Sequence, residues 1–361
     1  MARIFLDKVT KIFKPNVVAV NDLTLDIPDR RIVALLGPSG CGKTTTMRII
    51  SGLEKPTKGR VFFDDQDVTE VPVEERDVAM VFQFPIVYPA LSVFGNIAFP
   101  LRARRLSKSE TTRMVKEVAD LLNLSSVLDK KPSGLDAGAK QRVAIARAIV
   151  RRPKIYLFDE PLTNLDPTER VQLRFELKRL QKDLGQTIIF VTHDQAEALT
   201  MGDKIGVMNE GSLLQYDTPE NVYDNPQNRF VAYFIGNPGM NLIECTFEES
   251  GTGAFLEANG FSFDITDIAE NIRKHSSSTE VILGIRPEYV EVSTEKQGRN
   301  WISSRCVVAE ELGNRTLVDL NLGEITIRAK TSLPKITEMV WLNLPKKHIR
   351  VFDKKTGKLI A

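Results

Sequence analysis

Cysteine is scarce. Cys41, Cys245 and Cys306 are the only three in 361 residues and stand far apart, which excludes a disulfide framework or a zinc site and fits a reducing compartment. The cytoplasm is the expected location. Apolar runs of the ~18 to 20 residues needed to span a bilayer are missing, and the opening MARIFLDKVTKIF is charged throughout, unlike a secretory signal. Any membrane role is therefore expected to come through a partner. Excess charge of one sign is missing too. The formal net charge is +2, so no polyanion-binding surface is indicated and nucleic acid is not an expected partner.

What remains is an ordinary globular composition, 42% apolar and 27% charged, in a chain long enough for two domains. From Arg31 to about Ile235 the strand-length runs IVALL, VAMVF, IYLF and TIIFV alternate with longer helix-like segments, predicting an α/β domain with a parallel sheet over residues 1–235. SKSETTRMVKEVADLL opens on Ser107 and Glu110 as a capping box and places Met114, Val118 and Leu121 on one face. It belongs to a mostly helical insert expected at about residues 90–150. After Gly236 the short alternating runs VILGIRP, TLVDLNL, EITIRA and VWLNLP predict a small all-β domain with barrel-like closure over 236–361.

Gly37, Pro38, Ser39, Gly40, Cys41, Gly42, Lys43 and Thr44 form a G-x-x-x-x-G-K-[ST] loop between a strand-like run and the helix-like segment that begins Thr45. Such a loop turns backbone N–H groups around a phosphate, adds the lysine charge to the β and γ oxygens, and offers the threonine hydroxyl to magnesium. Asp159 and Glu160 close the run IYLF, at the sheet edge where ligands bind, as a magnesium-shell carboxylate and a base for attacking water. Thr192 and His193 end TIIFV at the same edge, and Gln83 follows VAMVF.

Taken together, these motifs resemble the ATPase subunits of ATP-binding-cassette (ABC) transporters, above all those of maltose- and glycerol-phosphate-type importers. GPSGCGKTT resembles the Walker A loop, VFQ the Q-loop, IYLFDEP Walker B, LTNLD with Asp166 the D-loop, and VTHDQAEAL the H-loop. Phe13 stands where the family stacks an aromatic on adenine. FIGNPGMNLI, LGIRPEYVEV and RVFDKKTGKLI resemble the family's C-terminal OB-like (TOBE) barrel. The resemblance implies a P-loop NTPase fold, ATP and Mg2+, and a peripheral place on the cytoplasmic face of the membrane. It also implies two integral permease subunits and, indirectly, an external solute-binding protein. Glu160, His193 and Lys43 are then catalytic, while Thr44, Gln83 and Asp159 organise the metal.

One motif departs from the family pattern. LDAGAKQR stands in place of the signature L-S-G-G-Q-x-Q-R: Leu135 and Gly138 remain, whereas Asp136, Ala137 and Ala139 replace serine, glycine and glutamine. In the family the signature of one subunit grips the γ-phosphate held by the other. Asp caps a helix about as well as Ser, yet a serine donating to phosphate offers roughly 1.5 to 3 kcal/mol, whereas like charges near 4 Å repel by about 4 kcal/mol at an effective dielectric of 20. A weak signature site, and pairing with a second, different ATPase subunit, are therefore expected. The alternative is a nucleotide-binding regulatory module with little hydrolysis of its own.

Overall fold

The computed structural model describes residues 2–361 other than 252, 259, 260, 299 and 334. It separates into two compact units, Met1–Pro219 and Glu220–Ala361, a division that falls ahead of the expected one at 235.

The first unit opens with β1 (Ile4–Phe13), β2 (Val17–Ile27), β3 (Ile32–Leu36), α1 (Lys43–Ser51), β4 (Lys58–Phe63), β5 (Gln66–Asp67) and β6 (Val78–Val81). The helical insert follows as α2 (Val93–Ala103), α3 (Lys108–Leu121) and α4 (Ala137–Ile149). β7 (Ile155–Asp159), α5 (Pro167–Leu184), β8 (Thr187–Thr192), α6 (Gln195–Met201), β9 (Lys204–Asn209) and β10 (Ser212–Asp217) complete it.

The central sheet runs β10-β9-β3-β8-β7-β6. β3, β6, β7, β8 and β9 are parallel, as their uninterrupted apolar runs require, but β10 pairs antiparallel with β9, so the sheet is mixed. Alternate residues of β7 serve opposite faces. Ile155 and Leu157 join one core with Met47, Ile49 and the N-terminal strands; Tyr156 and Phe158 join another with Val143, Leu173 and the insert helices.

A separate antiparallel sheet, β2-β1-β4-β5, goes beyond the expected layout. Its strands are hard to read because Lys8 takes a left-handed conformation (φ 48°) at a bulge. Buried positions then step from Ile4 and Leu6 to Val9, breaking the period of two.

The second unit begins with α7 (Pro219–Asp224) and α8 (Arg229–Phe234), so it is not purely β. β11 (Asn241–Ser250), β12 (Gly253–Ala258), β13 (Phe261–Asp264), α9 (Ala269–His275), β14 (Glu280–Ile285) and β15 (Glu291–Ser293) follow. β16 (Ile302–Glu311), β17 (Thr316–Leu322), β18 (Ile325–Thr331), β19 (Met339–Asn343) and β20 (Arg350–Asp353) end the chain. Two five-stranded antiparallel sheets, β13-β12-β11-β14-β20 and β15-β19-β16-β17-β18, enclose one core that includes Leu256 and Leu283 from the first and Val318 and Leu342 from the second. Asn241 stitches them together: its amide donates to Ile285 O and Arg328 O, and its carbonyl accepts from Arg328 N.

Candidate active site

The phosphate loop connects β3 to α1. Two of its glycines are dictated by close approach, since a Cβ at Gly37 would overlap Met208 O and one at Gly42, where φ is 103°, would overlap Ala19 O. Lys43, only 4% exposed, donates through Nζ to Gly37 O (2.7 Å) and Pro38 O (2.9 Å), so its charge lies inside the turn. Cys41 is buried beside it, with Sγ 3.7 Å from Nζ. Ser39 and Gly40 sit exposed at the tip, while Thr44 and Thr45 open α1 half-buried. Phe13 ends β1 with its ring partly open to solvent and Lys11 Nζ 4.9 Å from its centroid.

The ends of β7 and β8 bring the other groups together. Thr44 Oγ1 donates to Asp159 Oδ1 at 3.0 Å. Asp159 is 7% exposed, and burial pushes its carboxyl above the usual range, with the Thr44 hydrogen bond acting in the opposite direction. A hydroxyl and a desolvated carboxylate form an oxygen donor set of the kind magnesium takes together with phosphate oxygens and waters, so these residues fit the metal.

Glu160, the next residue, adopts φ 47°, an uncommon conformation for a non-glycine residue that costs on the order of 1 to 3 kcal/mol. Its N–H donates to Val191 O at 3.0 Å, fixing the turn against β8. Its Oε2 is the hub of the site, 2.9 Å from His193 Nδ1 and 3.4 Å from both Gln83 Nε2 and Thr163 Oγ1. Gln83, Glu160 and His193, from three separate strand ends, therefore converge beside the Thr44–Asp159 pair.

Two D-loop contacts were not singled out in the sequence. Thr163 reaches Glu160, and Asn164 Nδ2 donates to Gln83 O at 3.1 Å, tying the loop after β7 to the loop after β6. Both lie in the motif LTNLD, which is the signal that points to them. Asp166 itself caps α5, accepting from Glu169 N at 2.9 Å.

The signature residues lie apart. Among the described residues, no hydrogen bond or ion pair joins residues 135–139 to the phosphate loop. Leu135 is buried, Ala137 is exposed and Ala139 is half-buried. Asp136 caps α4 through Oδ1, which accepts from Ala139 N at 2.6 Å, so the acid is structurally well accommodated. Gly138 is buried against Glu169, and a Cβ there would push aside that residue's carboxylate, the movable end of a flexible side chain. Burial, together with Asp166 and Asp136 nearby, raises the Glu169 carboxyl above its usual range, while Arg142 at 3.8 Å opposes the rise.

Next to Gln83, the segment after β6 is held against α2 by Asn96, whose amide donates to Tyr88 O, Leu91 O and Ser92 O while its carbonyl accepts from Tyr88 N. A cleft of about 250 Å³ opens between β6, α2 and α4, lined by Tyr88, Phe99, Arg147 and Arg151 among others. Tyr88 and Phe99 lie 4.7 Å apart between ring centroids, the Arg147 guanidinium is 4.9 Å from the Tyr88 ring, and Phe84 and Ile86 are exposed alongside.

Full-length relatives decide the family. A trehalose/maltose import ATP-binding protein, MalK, of Thermococcus litoralis is 43% identical over 375 residues, covering 100% of both chains. The chain belongs to the ABC transporter family. Residues 20–163 match the ABC transporter family pattern, and residues 236–290 match the MalK OB fold domain. An sn-glycerol-3-phosphate import ATP-binding protein, UgpC, of Psychromonas ingrahamii is 39% identical, covering 100% of this chain and 96% of its own. Among solved structures, an ATP-binding cassette captured as a dimer with ADP and Pi is 31% identical and covers 60% of this chain and 98% of its own, with a TM-score of 0.55. CbiO1 of Clostridium perfringens, part of an ABC transporter complex, is 28% identical over 61% of this chain and 89% of its own, with a TM-score of 0.58. As an ABC transporter ATPase, the chain uses ATP with Mg2+ to drive transport, and its second unit is the family's OB-like domain.

Proposed function

We propose that this chain energises an importer for a sugar, polyol or glycerol-phosphate-like solute, working at the cytoplasmic face of the membrane on two permease subunits fed by an external solute-binding protein. The substrate class follows the relatives, which are import subunits for trehalose/maltose and sn-glycerol-3-phosphate. No helix among the described residues is long and apolar enough to cross a membrane, which is compatible with peripheral attachment. The cleft between β6, α2 and α4, aromatic and carrying Arg147, is the docking place for the permease loops.

Convergence of Glu160, His193 and Gln83 beside Thr44 and Asp159 is the observation that carries the hydrolytic reading. Lys43 and the loop N–H groups hold the β- and γ-phosphates, Phe13 stacks on the base, and Glu160 takes the proton of the attacking water. His193 orients Glu160 and steadies the charge that spreads over the transferred phosphoryl. Thr44, Asp159 and Gln83 would hold magnesium, which supplies Lewis-acid stabilisation of the phosphate oxygens. Glu160→Gln should abolish phosphate release while ATP affinity persists, and Lys43→Ala should abolish binding. Normal turnover by the first variant would remove Glu160 from the base role.

The partner cassette is a finer matter. One similar solved cassette is dimeric, and a mixed pair rests on Asp136 alone. Its carboxylate, placed at the start of α4, would meet the terminal phosphate held by the other subunit. A partner with a serine-bearing signature would supply this chain's own intact phosphate site with a favourable donor.

A further inference from the structure

α5 follows the D-loop and α6 follows His193, and a row of basic side chains joins the two helices. Lys178 Nζ donates to Thr200 O at 2.6 Å and Arg174 Nη1 to Thr200 Oγ1 at 3.4 Å. Arg170, one turn ahead of Arg174, does more than join helices. Its Nη2 donates to the D-loop carbonyls of Thr163 (3.4 Å) and Leu165 (3.3 Å). Its Nη1 lies 3.6 Å from Asp194 Oδ2 and its Nε 3.8 Å from Glu197 Oε1. A planar guanidinium suits such a four-way bracket, and a point-charge ammonium does not.

Of the groups it reaches, Asp194 follows His193 directly, and Glu197 bonds to Thr192, which precedes His193. Asp194 N donates to Thr192 Oγ1 (3.0 Å), Asp194 Oδ1 accepts from Glu197 N (3.0 Å), and Thr192 Oγ1 donates to Glu197 Oε2 (2.5 Å). Glu197 is 3% exposed, so its carboxylate is costly unless a cation stands by. His193, by contrast, is exposed, with its Nδ1 2.9 Å from Glu160 Oε2. The backbone that carries the imidazole is set by these neighbours, and Arg170 links them to the loop bearing Thr163.

We propose that Arg170 is a positioning residue for ATP hydrolysis, fastening the D-loop to the segment around His193 so that the imidazole stays on Glu160. The inference rests on the hydrolytic roles given above to His193 and Glu160. It goes beyond them by making the loops after β7 and β8 a single mechanical body, so that displacement of the D-loop displaces His193.

The test uses the full chain, with Arg170→Met, Arg170→Lys, Asp194→Asn and His193→Ala. Asp194→Asn keeps the α6 cap but removes half of the charge pair, and it serves if Arg170→Met does not fold. Arg170→Met should lower kcat by on the order of tenfold to a hundredfold, the scale of a misplaced catalytic group, with KM and ATP affinity within about twofold. Arg170→Lys should recover only part, Asp194→Asn should show a smaller loss of the same kind, and adding Arg170→Met to His193→Ala should cost nothing more. Independently of turnover, the imidazole NMR signals of His193, assigned among the three histidines by the His193→Ala spectrum, should shift in Arg170→Met. Unchanged His193 signals, an additive loss in the double variant, or a raised KM at constant kcat would each overturn the proposal. If Lys43→Ala leaves ATP binding intact, the nucleotide-site reading fails by itself, and the His193 signals still judge Arg170.

Discussion

Replacing Asp136 by serine isolates charge from fold. Asp136 is exposed at the start of α4, and its Oδ1 accepts from Ala139 N at 2.6 Å, a bond that a serine hydroxyl reproduces. Since Asp and Ser cap about equally, stability should change by less than about 0.5 kcal/mol. The electrostatic change is larger. A carboxylate near 4 Å from a phosphate charge is repelled by about 4 kcal/mol at an effective dielectric of 20, and solvent screening of this exposed group reduces that figure. Asp166 and Glu169 add negative charge nearby, and Arg142, paired with Glu169 and Glu176, offsets only part of it. With each 1.4 kcal/mol worth about tenfold in rate, Asp136→Ser should raise the turnover of the purified chain alone by roughly tenfold, with a ceiling near a thousandfold set by the unscreened repulsion. Steady-state phosphate release at saturating ATP measures it, with Asp136→Asn as the control that keeps the cap and removes the charge. Equal rates for all three proteins would show that Asp136 does not limit closure, and the argument for a second, different cassette would go with it.

Two further tests concern packing and pH. Gly138→Ala gains about 1 kcal/mol of helix propensity but pushes aside the Glu169 carboxylate, the movable end of a flexible side chain, so it should stabilise by less than that amount; in a Glu169→Ala background the full gain should appear, and identical shifts in both backgrounds would dismiss the contact. In the second unit, buried Asp353 accepts from Ser277 N (2.7 Å), Ser277 Oγ (2.7 Å) and Thr356 N (2.6 Å), and these bonds hold its carboxyl well below the usual range. A depressed acid contributes stability above the unfolded carboxyl pKa of about 3.9 and loses it as pH falls through the folded value. Asp353→Ala should therefore destabilise this unit by about 3 kcal/mol at neutral pH and flatten its loss of stability below about pH 4. Trp301 and Trp341 are the protein's two tryptophans and both lie in this unit, so their fluorescence reports it selectively; parallel acid curves for the two proteins would contradict the assignment.

Legibility tracked how local each feature is. The loop 37–44 could be read outright because consecutive residues make it and because the strand and helix beside it have their own periodicities. Asp159, Glu160 and His193 were legible as strand ends, since parallel strands deliver their C-terminal residues to one edge. The β1–β2 pair was not, because the bulge at Lys8 shifts the buried positions out of alternation. Nor was the antiparallel direction of β10, which depends on the tight turn after β9 and not on any pattern within the strand. In the signature, sequence alone marks Asp136 as unusual, but only packing reveals that Gly138 lies against Glu169, which comes from a helix that starts some thirty residues later.

From the order of its residues alone, this chain acquires a glycine-rich loop between strand and helix, strands that end in acid and imidazole, a capped helix at residue 136 and a β-built second unit. These are properties of backbone conformation and short periodicity, which act over a few neighbours. Tertiary structure decided that Glu160 becomes the hub for Gln83, Thr163 and His193. It also decided that Arg170 joins the loop after β7 to Asp194 and Glu197, which follow the imidazole. Such contacts join residues distant in sequence, and their distances of a few ångströms depend on how the helices pack against the sheet, which no local pattern encodes.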